Sequence, residues 1–149
     1  MSSFVETLKR HEGTWRGEYQ VFDLDGHLME RYVSRVRCEF PQGDQFAYVQ
    51  HNEFTWPDGR REHSSFGATL VGDRLVWDTE RFSGHAWATE GGVILLRLDR
   101  RDVPETWYVE TILLEPGHNH RMRTWHWFER GEPLKRTLCN ERRIADNER

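Results

Sequence analysis

The chain has 149 residues, the size of one domain around one hydrophobic core. Charged residues make up 31% of it and the formal net charge is −4, a balance that does not indicate a nucleic-acid-binding protein. No apolar run approaches the roughly 20 residues of a membrane-spanning helix, and the first residues lack the pattern of a signal peptide. We therefore expect one cytoplasmic domain over residues 1–149, with neither nucleic acid nor membrane as a partner.

Local patterns along the chain predict one short helix followed by strands. Residues 2–11 predict the helix, because Phe4, Val5 and Leu8 share one face. From Gly13 onwards the apolar period changes to two, which is typical of strands. Turn signals such as Asp25-Gly26 separate about ten predicted strands. Their predicted ranges are 14–23, 27–40, 45–56, 61–71, 74–80, 83–90, 92–100, 106–115, 120–129 and 133–144.

The connections between these strands predict how they are arranged. No connection is long enough to contain a crossover helix, so the sheet should be antiparallel and meandering. An open meander of this length would expose two edges, and closure removes both. We therefore predict an all-β fold, a closed antiparallel up-and-down barrel of about 8–10 strands with a short N-terminal helix. A two-sheet sandwich is the alternative.

Hairpin register predicts which side chains point into this barrel, because a shift of one residue reverses the face of a whole strand. We assume a two-residue turn at Asp25-Gly26, a three-residue loop through Gly43 and a two-residue turn at Asp58-Gly59. The inward set for the first four strands is then Trp15, Tyr19, Val21, Tyr32, Val36, Cys38, Phe46, Tyr48, Gln50, Asn52, Phe54, His63, Ser65, Gly67 and Thr69.

Two assignments remain open for the C-terminal strands. One face carries Ile94, Leu96, Leu98, Val109, Thr111, Met122, Thr124, His126, Phe128, Thr137 and Cys139. The other carries Arg97, Tyr108, Glu110, Arg123, Trp125, Trp127, Arg136 and Asn140. Because Arg97, Glu110 and Arg123 form a ladder of alternating sign that belongs at a solvated surface, we place the first face inside.

Each assignment has a further consequence. With the first face inside, Tyr108, Trp125 and Trp127 form an outer aromatic patch, which the helix or a second subunit of a homodimer would cover. The second assignment would instead place Arg123 against a ligand carboxylate, with the indoles lining the ligand's apolar body.

The predicted interior mixes aromatic rings with neutral polar groups. Each unsatisfied polar group in a solid core costs roughly 1–3 kcal/mol, whereas a ligand-filled cavity uses such groups to orient its guest. We therefore predict a binding or carrier barrel for a small hydrophobic or amphipathic molecule, without a metal or cofactor. The predicted ligand-binding residues are Trp15, Tyr19, Tyr32, Tyr48, Gln50, Asn52, Thr111, Thr124, His126 and Thr137.

An enzyme is the alternative function. An isomerase, cyclase or lyase acting on an apolar substrate in the same cavity would use His126 with Tyr48 or Tyr19 for proton transfer. No local motif indicates a nucleophilic serine or cysteine, and no Gly-rich loop precedes a helix. His118 and His120 are interpreted as loop residues rather than zinc ligands. No catalytic residue is therefore predicted.

Three stretches carry a resemblance to known families. Gly13-Thr14-Trp15-Arg16-Gly17, after a short helix, resembles the start of a calycin (lipocalin-like) barrel, in which a Gly-x-Trp on the first strand closes one end. The stretch 13–71 resembles nitrobindin-like haem barrels. The segments 121–128 and 131–138 resemble a bacterial lipocalin-like family of unknown function that is related to the phycobiliprotein lyases, which hold bilins.

The resemblance implies a barrel with a cavity and adds haem or bilin handling as a further alternative. Nitrobindin-like barrels carry a haem-ligating histidine on the last strand, and the matching position here is Thr137. Because threonine does not supply that iron ligand, the resemblance does not extend to haem–iron binding of that type.

Overall fold

The computed structural model describes residues 3–43 and 45–148. Among them are helix α1 (Ser3–Lys9), a short 3-10 turn at Glu90–Gly92 and ten strands. The strands are β1 (Gly13–Phe22), β2 (Leu28–Glu39), β3 (Tyr48–Thr55), β4 (Arg61–Val71), β5 (Arg74–Asp78), β6 (Phe82–Ala88), β7 (Ile94–Arg100), β8 (Thr106–Leu114), β9 (His120–Glu129) and β10 (Glu132–Ile144). Each strand lies close to its predicted segment.

The strands form one closed barrel in the order β1-β10-β9-β8-β7-β6-β5-β4-β3-β2. Strand β1 closes it, because Tyr19 lies opposite Tyr32 on β2 and opposite Cys139 on β10. Neighbouring strands are antiparallel throughout, as short hairpin connections require. The predicted closed up-and-down barrel is confirmed, and the sandwich alternative is wrong.

Helix α1 and the start of β1 close one end of the barrel. Phe4 and Leu8 are buried in the same apolar cluster as Trp15, whose indole Nε1 donates to the carbonyl of His11 at 3.0 Å. The Arg143 guanidinium lies 4.4 Å from the Trp15 ring centroid. Because the strands alternate in direction, the hairpin loops 23–27, 56–60, 79–81, 101–105 and 130–131 all lie at the other, open end.

Helix α1 is also far too short to cross a bilayer. No helix in the described ranges combines the length and the apolar character that a membrane span requires.

The predicted inward face of β4 was wrong by one residue. The Trp56 amide donates to the Arg60 carbonyl at 2.9 Å, and Gly59 between them has a φ of 91°, so the hairpin has a three-residue loop instead of a two-residue turn. Phe54 therefore lies opposite Glu62, and every side chain of β4 changes face. Ser64, Phe66 and Ala68 point inward, in place of His63, Ser65, Gly67 and Thr69.

The predicted faces of β8 and β9 were also wrong, whereas those of β7 and β10 are as predicted. In the β7–β8 hairpin Leu98 lies opposite Tyr108 instead of Val109. At the start of β10 the pairing shifts by one residue between Pro133 and Lys135. These two irregularities exchange the inward and outward faces of the strands between them, β8 and β9. The inward side chains are Tyr108, Glu110, Arg123, Trp125 and Trp127, and the outward ones are Val109, Thr111, Met122, Thr124, His126 and Phe128.

Candidate functional site

The open half of the barrel encloses a cavity of about 770 Å³. Its rim is formed by Arg81 in the β5–β6 loop and Asp102 in the β7–β8 loop, so it faces the end that α1 leaves uncovered. Volumes of 300–1,000 Å³ are typical of small-molecule sites. The aromatic lining consists mainly of Tyr19, Tyr32, Phe54, Tyr108, Trp125 and Trp127.

Ring-to-ring contacts hold the aromatic wall in place. The Tyr19 ring centroid lies 4.9 Å from that of Tyr32, 5.2 Å from that of Phe54 and 5.1 Å from that of Trp125. These separations fall in the attractive range for aromatic pairs. The rings come from strands β1, β2, β3 and β9, so closure of the sheet is what brings them together. The result is a preformed apolar surface for a flat or hydrophobic guest.

A smaller chamber of about 80 Å³ lies towards the closed end, beside Leu8 and His11. We call it the deep chamber. Trp77 lines it, and the indole Nε1 of Trp77 is buried without a hydrogen-bond partner among the described residues. The two cavities share Gln50, Phe66, Phe82, Leu98, Tyr108 and Arg123. These side chains therefore form the boundary between the two spaces.

Four buried charges form one cluster at this boundary. Arg123 Nε lies 2.7 Å from Glu110 Oε2, and Arg123 Nη1 lies 3.4 Å from Glu141 Oε2. Arg121 Nε lies 2.7 Å from Glu141 Oε1. The Tyr19 hydroxyl accepts a hydrogen bond from Arg123 Nη1 at 2.9 Å. Two guanidinium groups balance two carboxylates, so the buried cluster carries no net charge.

Burial and ion pairing act on these groups in opposite directions. Burial raises the pKa of Glu110 above its usual value, although Arg123 opposes the shift. Burial also tends to raise the pKa of Glu141, but Arg121 and Arg123 outweigh it and hold that pKa below its usual value. Glu141 is thus firmly ionised, and Glu110 is the carboxylate whose ionised form depends more on its arginine, Arg123.

A stripe of neutral polar side chains runs along the inner face of β3. Residues 48, 50 and 52 share that face because side chains alternate along a strand. The Tyr48 hydroxyl donates to Gln50 Oε1 at 2.7 Å, and Gln50 Nε2 donates to Asn52 Oδ1 at 2.9 Å. Asn52 Nδ2 donates to Ser64 Oγ on β4 at 3.3 Å. In these bonds each of the two amide groups donates through one of its two N–H groups, and the stripe runs from the deep chamber at Tyr48 to the larger cavity at Asn52.

The barrel wall has a gap between β4 and β5. Their ladder joins only 69–71 to 74–76, whereas β3 pairs with β4 along the whole of 61–68. Ser64, Phe66 and Gly67 line the larger cavity beside this gap, and Thr79 lines it on the other side. The larger cavity therefore extends to this gap, where the Phe46 ring lies against Gly67.

The predicted site residues fall into three groups. Tyr19, Tyr32, Gln50 and Asn52 line the larger cavity, and Tyr48 lines the deep chamber. Trp15 and Thr137 point inward but line neither space: Trp15 seals the closed end, and Thr137 Oγ1 accepts a hydrogen bond from Trp127 Nε1 at 3.0 Å. Thr111, Thr124 and His126 lie on the outer face, and His126 is exposed. The expectation that these three point into the barrel was wrong.

The most distinctive inward residues were assigned to the wrong face. Arg123, Glu110, Trp125 and Trp127 are the second assignment for the C-terminal strands, and the structure places all four inside. Arg97, which was grouped with them, lies outside and pairs with Asp99 at 3.0 Å. The alternating signs across β8 and β9 were therefore the useful signal, although they mark a buried cluster instead of a surface ladder.

One group of potential metal ligands lies outside the barrel. Asp23, Asp25 and His27 in the β1–β2 hairpin have ligand atoms within 4.8 Å of one another. Asp23 Oδ1 accepts hydrogen bonds from the backbone amides of Asp25 and His27 at 3.0 and 2.9 Å. The position of the Asp23 carboxylate is accounted for by the turn that it stabilises.

The fold and the interior define a lipocalin-like β-barrel with an open cavity. No family model matches the chain, and no curated protein matches it. Solved structures do match. The S-type phycobiliprotein lyase CPES from Guillardia theta has a TM-score of 0.78 at 17% identity, covering 98% of this chain and 95% of that chain. Rv2717c from M. tuberculosis has a TM-score of 0.66 at 14% identity, covering 97% and 99%.

A third similar structure is a protein of unknown function from the DUF3598 family of Nostoc punctiforme. Its TM-score is 0.70 at 16% identity, and the match covers 92% of this chain. This chain spans about half the length of that protein, 49%. At these identities the likeness establishes the fold alone, which this chain shares with a phycobiliprotein lyase, with Rv2717c and with the Nostoc punctiforme protein of unknown function.

Proposed function

We propose that this barrel binds a small hydrophobic or amphipathic molecule in its larger cavity and acts as a binding or carrier protein. The observation that carries the proposal is the open, aromatic-lined cavity of about 770 Å³. Such a space buries most of a small ligand's apolar surface, which is the main favourable contribution to binding. The comparison with a phycobiliprotein lyase supports a barrel of the kind that accommodates a ligand.

The proposed ligand contacts combine apolar surface with a few polar groups. Tyr19, Tyr32 and Trp125 supply flat apolar area, and the ring contacts described above limit the side-chain freedom lost when a ligand binds. Gln50 and Asn52 supply neutral hydrogen-bonding groups on β3, the strand next to that of Tyr32. An amphipathic ligand would place its apolar body against the rings and its polar edge along β3.

The enzyme alternative loses its main residue. It depended on His126 as an acid or base inside the cavity, and His126 is exposed on the outer face of β9. Burial strongly raises the pKa of both Tyr19 and Tyr48, so neither hydroxyl ionises readily. A binding role therefore accounts better for the lining than proton-transfer chemistry does.

Haem or bilin remains a second candidate ligand class, favoured by the shared fold with the phycobiliprotein lyase. Neither histidine nor cysteine is found among the described residues that line the larger cavity, and Thr137 is held by Trp127. Burial raises the pKa of the lining tyrosines, which disfavours the tyrosinate that could bind haem iron: Tyr19, Tyr32 and Tyr108. A bilin, which needs no iron ligand, fits these residues better than haem does. Absorbance after mixing with haem or biliverdin separates the two, and we expect a shifted band only with biliverdin.

The general proposal is tested with a neutral apolar dye. Titration of the full chain with Nile red should give a saturable, blue-shifted emission. Ser64→Trp, which places an indole inside the larger cavity, should weaken binding by about tenfold or more, equivalent to about 1.4 kcal/mol. His126→Trp adds the same side chain on the outer face and should change the affinity less than about twofold.

Two results would overturn the proposal. The first is the absence of saturable dye binding by the folded wild-type protein. The second is equal Nile red affinity of Ser64→Trp and His126→Trp, because a dye whose binding is unaffected by an indole inside the cavity must be bound elsewhere. Circular dichroism of both variants establishes that they retain the barrel.

A further inference from the structure

The buried indole of Trp77 is the starting point. Trp77 lies on β5 and is 6% exposed, and its Nε1 has no hydrogen-bond partner among the described residues. Its ring packs edge-on against that of Tyr48, with centroids 6.2 Å apart. Buried indole N–H groups nearly always have an acceptor. Because Trp77 lines the deep chamber, a molecule inside that chamber is the natural partner.

The size of the deep chamber limits what can enter it. Its volume of about 80 Å³ is several times the roughly 10–15 Å³ needed for one water molecule by the same measure. It is about a tenth of the larger cavity's 770 Å³. A small functional group therefore fits there while the body of the ligand stays among the aromatic rings. Gln50 and Arg123 line both spaces, so the two are adjacent.

The charges around the deep chamber determine which functional group is favoured. Arg121 and Arg123 are already paired with Glu141 and Glu110, so neither arginine offers an uncompensated positive charge. A carboxylate in the chamber would add a negative charge next to Glu110, which lines the same space. Burying an unpaired ion is strongly unfavourable. The chamber thus disfavours anions although two arginines line it.

We infer that the deep chamber receives an uncharged carbonyl group of the ligand, a ketone, aldehyde or amide, whose oxygen accepts the N–H of Trp77. This inference rests on the proposed function and specifies its ligand class. Arg123 lines the same chamber, and its hydrogen bonds to described residues use Nε and Nη1, so its Nη2 is a second donor that a ligand there could engage. Water is the competing occupant of the chamber.

The test uses three naphthalene probes of nearly equal size. Methyl 2-naphthyl ketone carries the carbonyl, 2-isopropylnaphthalene replaces it by a hydrocarbon of the same shape, and 2-naphthoate replaces it by an anion. Calorimetric titration of the full chain should give an affinity for the ketone about tenfold higher than for the hydrocarbon, as one buried hydrogen bond provides. The naphthoate should bind more weakly than the ketone.

Variants connect that preference to Trp77. Trp77→Phe keeps an aromatic ring and removes the N–H, so it should lower the ketone affinity about tenfold and the hydrocarbon affinity less than about threefold. Trp87→Phe is the matched control, because Trp87 stacks on His85 on the outer face. Its affinities for all three probes should equal those of the wild type.

A spectroscopic readout on the wild-type protein covers the case in which Trp77→Phe does not fold. In ¹⁵N-labelled protein the Trp77 indole N–H resonance should move downfield with the ketone and stay nearly fixed with the hydrocarbon. Equal affinities for ketone and hydrocarbon, with an unmoved resonance, would assign water as the partner and overturn the inference. Tightest binding of the naphthoate would also overturn it.

The outcomes separate this inference from the proposed function. If Nile red and the hydrocarbon bind but the ketone has no advantage, the inference fails and the barrel remains a binding protein. If neither Nile red nor any naphthalene probe binds the folded chain, the proposed function fails and the inference falls with it.

Discussion

Replacing Arg123 by methionine tests whether the buried charges work as one unit. Arg123 Nε lies 2.7 Å from Glu110 Oε2, and Glu110 is 1% exposed, so the substitution leaves a buried carboxylate without its cation. Removing one partner of a buried ion pair costs about 3–5 kcal/mol. An unfolding entropy of about 2.1 cal/mol/K per residue over 149 residues converts that cost to a decrease in Tm of about 10–16 °C.

The double variant Arg123→Met with Glu110→Gln identifies the cause of that loss. Glutamine has nearly the shape of glutamate and carries no charge, so the double variant no longer buries an unpaired ion. Glu141 keeps Arg121, whose Nε lies 2.7 Å from its Oε1. Urea denaturation of the wild type, Arg123→Met, Glu110→Gln and the double variant gives the coupling energy between the two positions. We expect it to be about 2–3 kcal/mol, with the double variant more stable than Arg123→Met alone.

The pH dependence of the single variant provides an independent check. Burial already raises the pKa of Glu110, and loss of Arg123 removes the main opposing effect. In the variant the folded state then binds a proton at pH values where the unfolded carboxylate is ionised, so stability increases as the pH falls. The loss of unfolding free energy in Arg123→Met, relative to the wild type, should become smaller as the pH is lowered from 7 to 5. A deficit that is constant with pH, or equal in single and double variants, would refute the reasoning.

Three further predictions concern stability and reactivity. Burial and Arg121 lower the pKa of His11 to about 3, so below pH 6.5 the protein takes up a proton at His11 when it unfolds. Lowering the pH from 6.5 to 5 should therefore decrease the free energy of unfolding by about 2 kcal/mol. Urea titrations should show a smaller decrease for His11→Asn. Burial raises the pKa of Cys139 to about 12, so a thiol reagent at pH 8 should modify it only after denaturant is added. Gly17→Ala places a Cβ 2.8 Å from the Asn140 carbonyl oxygen and should cost about 1–3 kcal/mol in thermal melts. Gly117→Ala meets only the end of the Glu115 side chain, whose carboxylate accepts a hydrogen bond from the Asn119 amide, and it should cost less because no backbone atom is approached.

The sequence was sufficient to predict the barrel because its strands alternate regularly and its turns carry glycine, aspartate and proline. The β1–β2 hairpin shows this most directly: the predicted pairing of Tyr19 with Tyr32 is the observed one. The connections were too short to contain crossover helices, so the sheet had to be an antiparallel meander. An open meander would expose two edges, which favoured closure into a barrel. These arguments use local signals and general topology, both of which are present in the chain itself.

Register was predictable only where a hairpin had the simplest geometry. Gly59 at a φ of 91° adds one residue to the β3–β4 loop, and Glu105 at a φ of 60° lies in the β7–β8 loop where the pairing again differs from a two-residue turn. The shift between Pro133 and Lys135 adds a third irregularity. A strand that slips by one residue exchanges its two faces completely. Hence the strands were correctly located while the inward sets of β4, β8 and β9 were not.

The buried charges show a deeper reason why the lining escaped prediction. Seen along one sheet, Glu110 and Arg123 form a cross-strand pair, and the cost of burying ions argues for placing such a pair outside. The interior instead adds partners from other strands, because Glu141 on β10 and the Tyr19 hydroxyl on β1 both contact Arg123. Those partners become neighbours only when the sheet closes. A charged pair that alternates in sign across strands of a predicted barrel is therefore as consistent with the inside as with the outside. The cluster can be buried because its charges balance, and the same balance argues that the part of the ligand in contact with the cluster is uncharged.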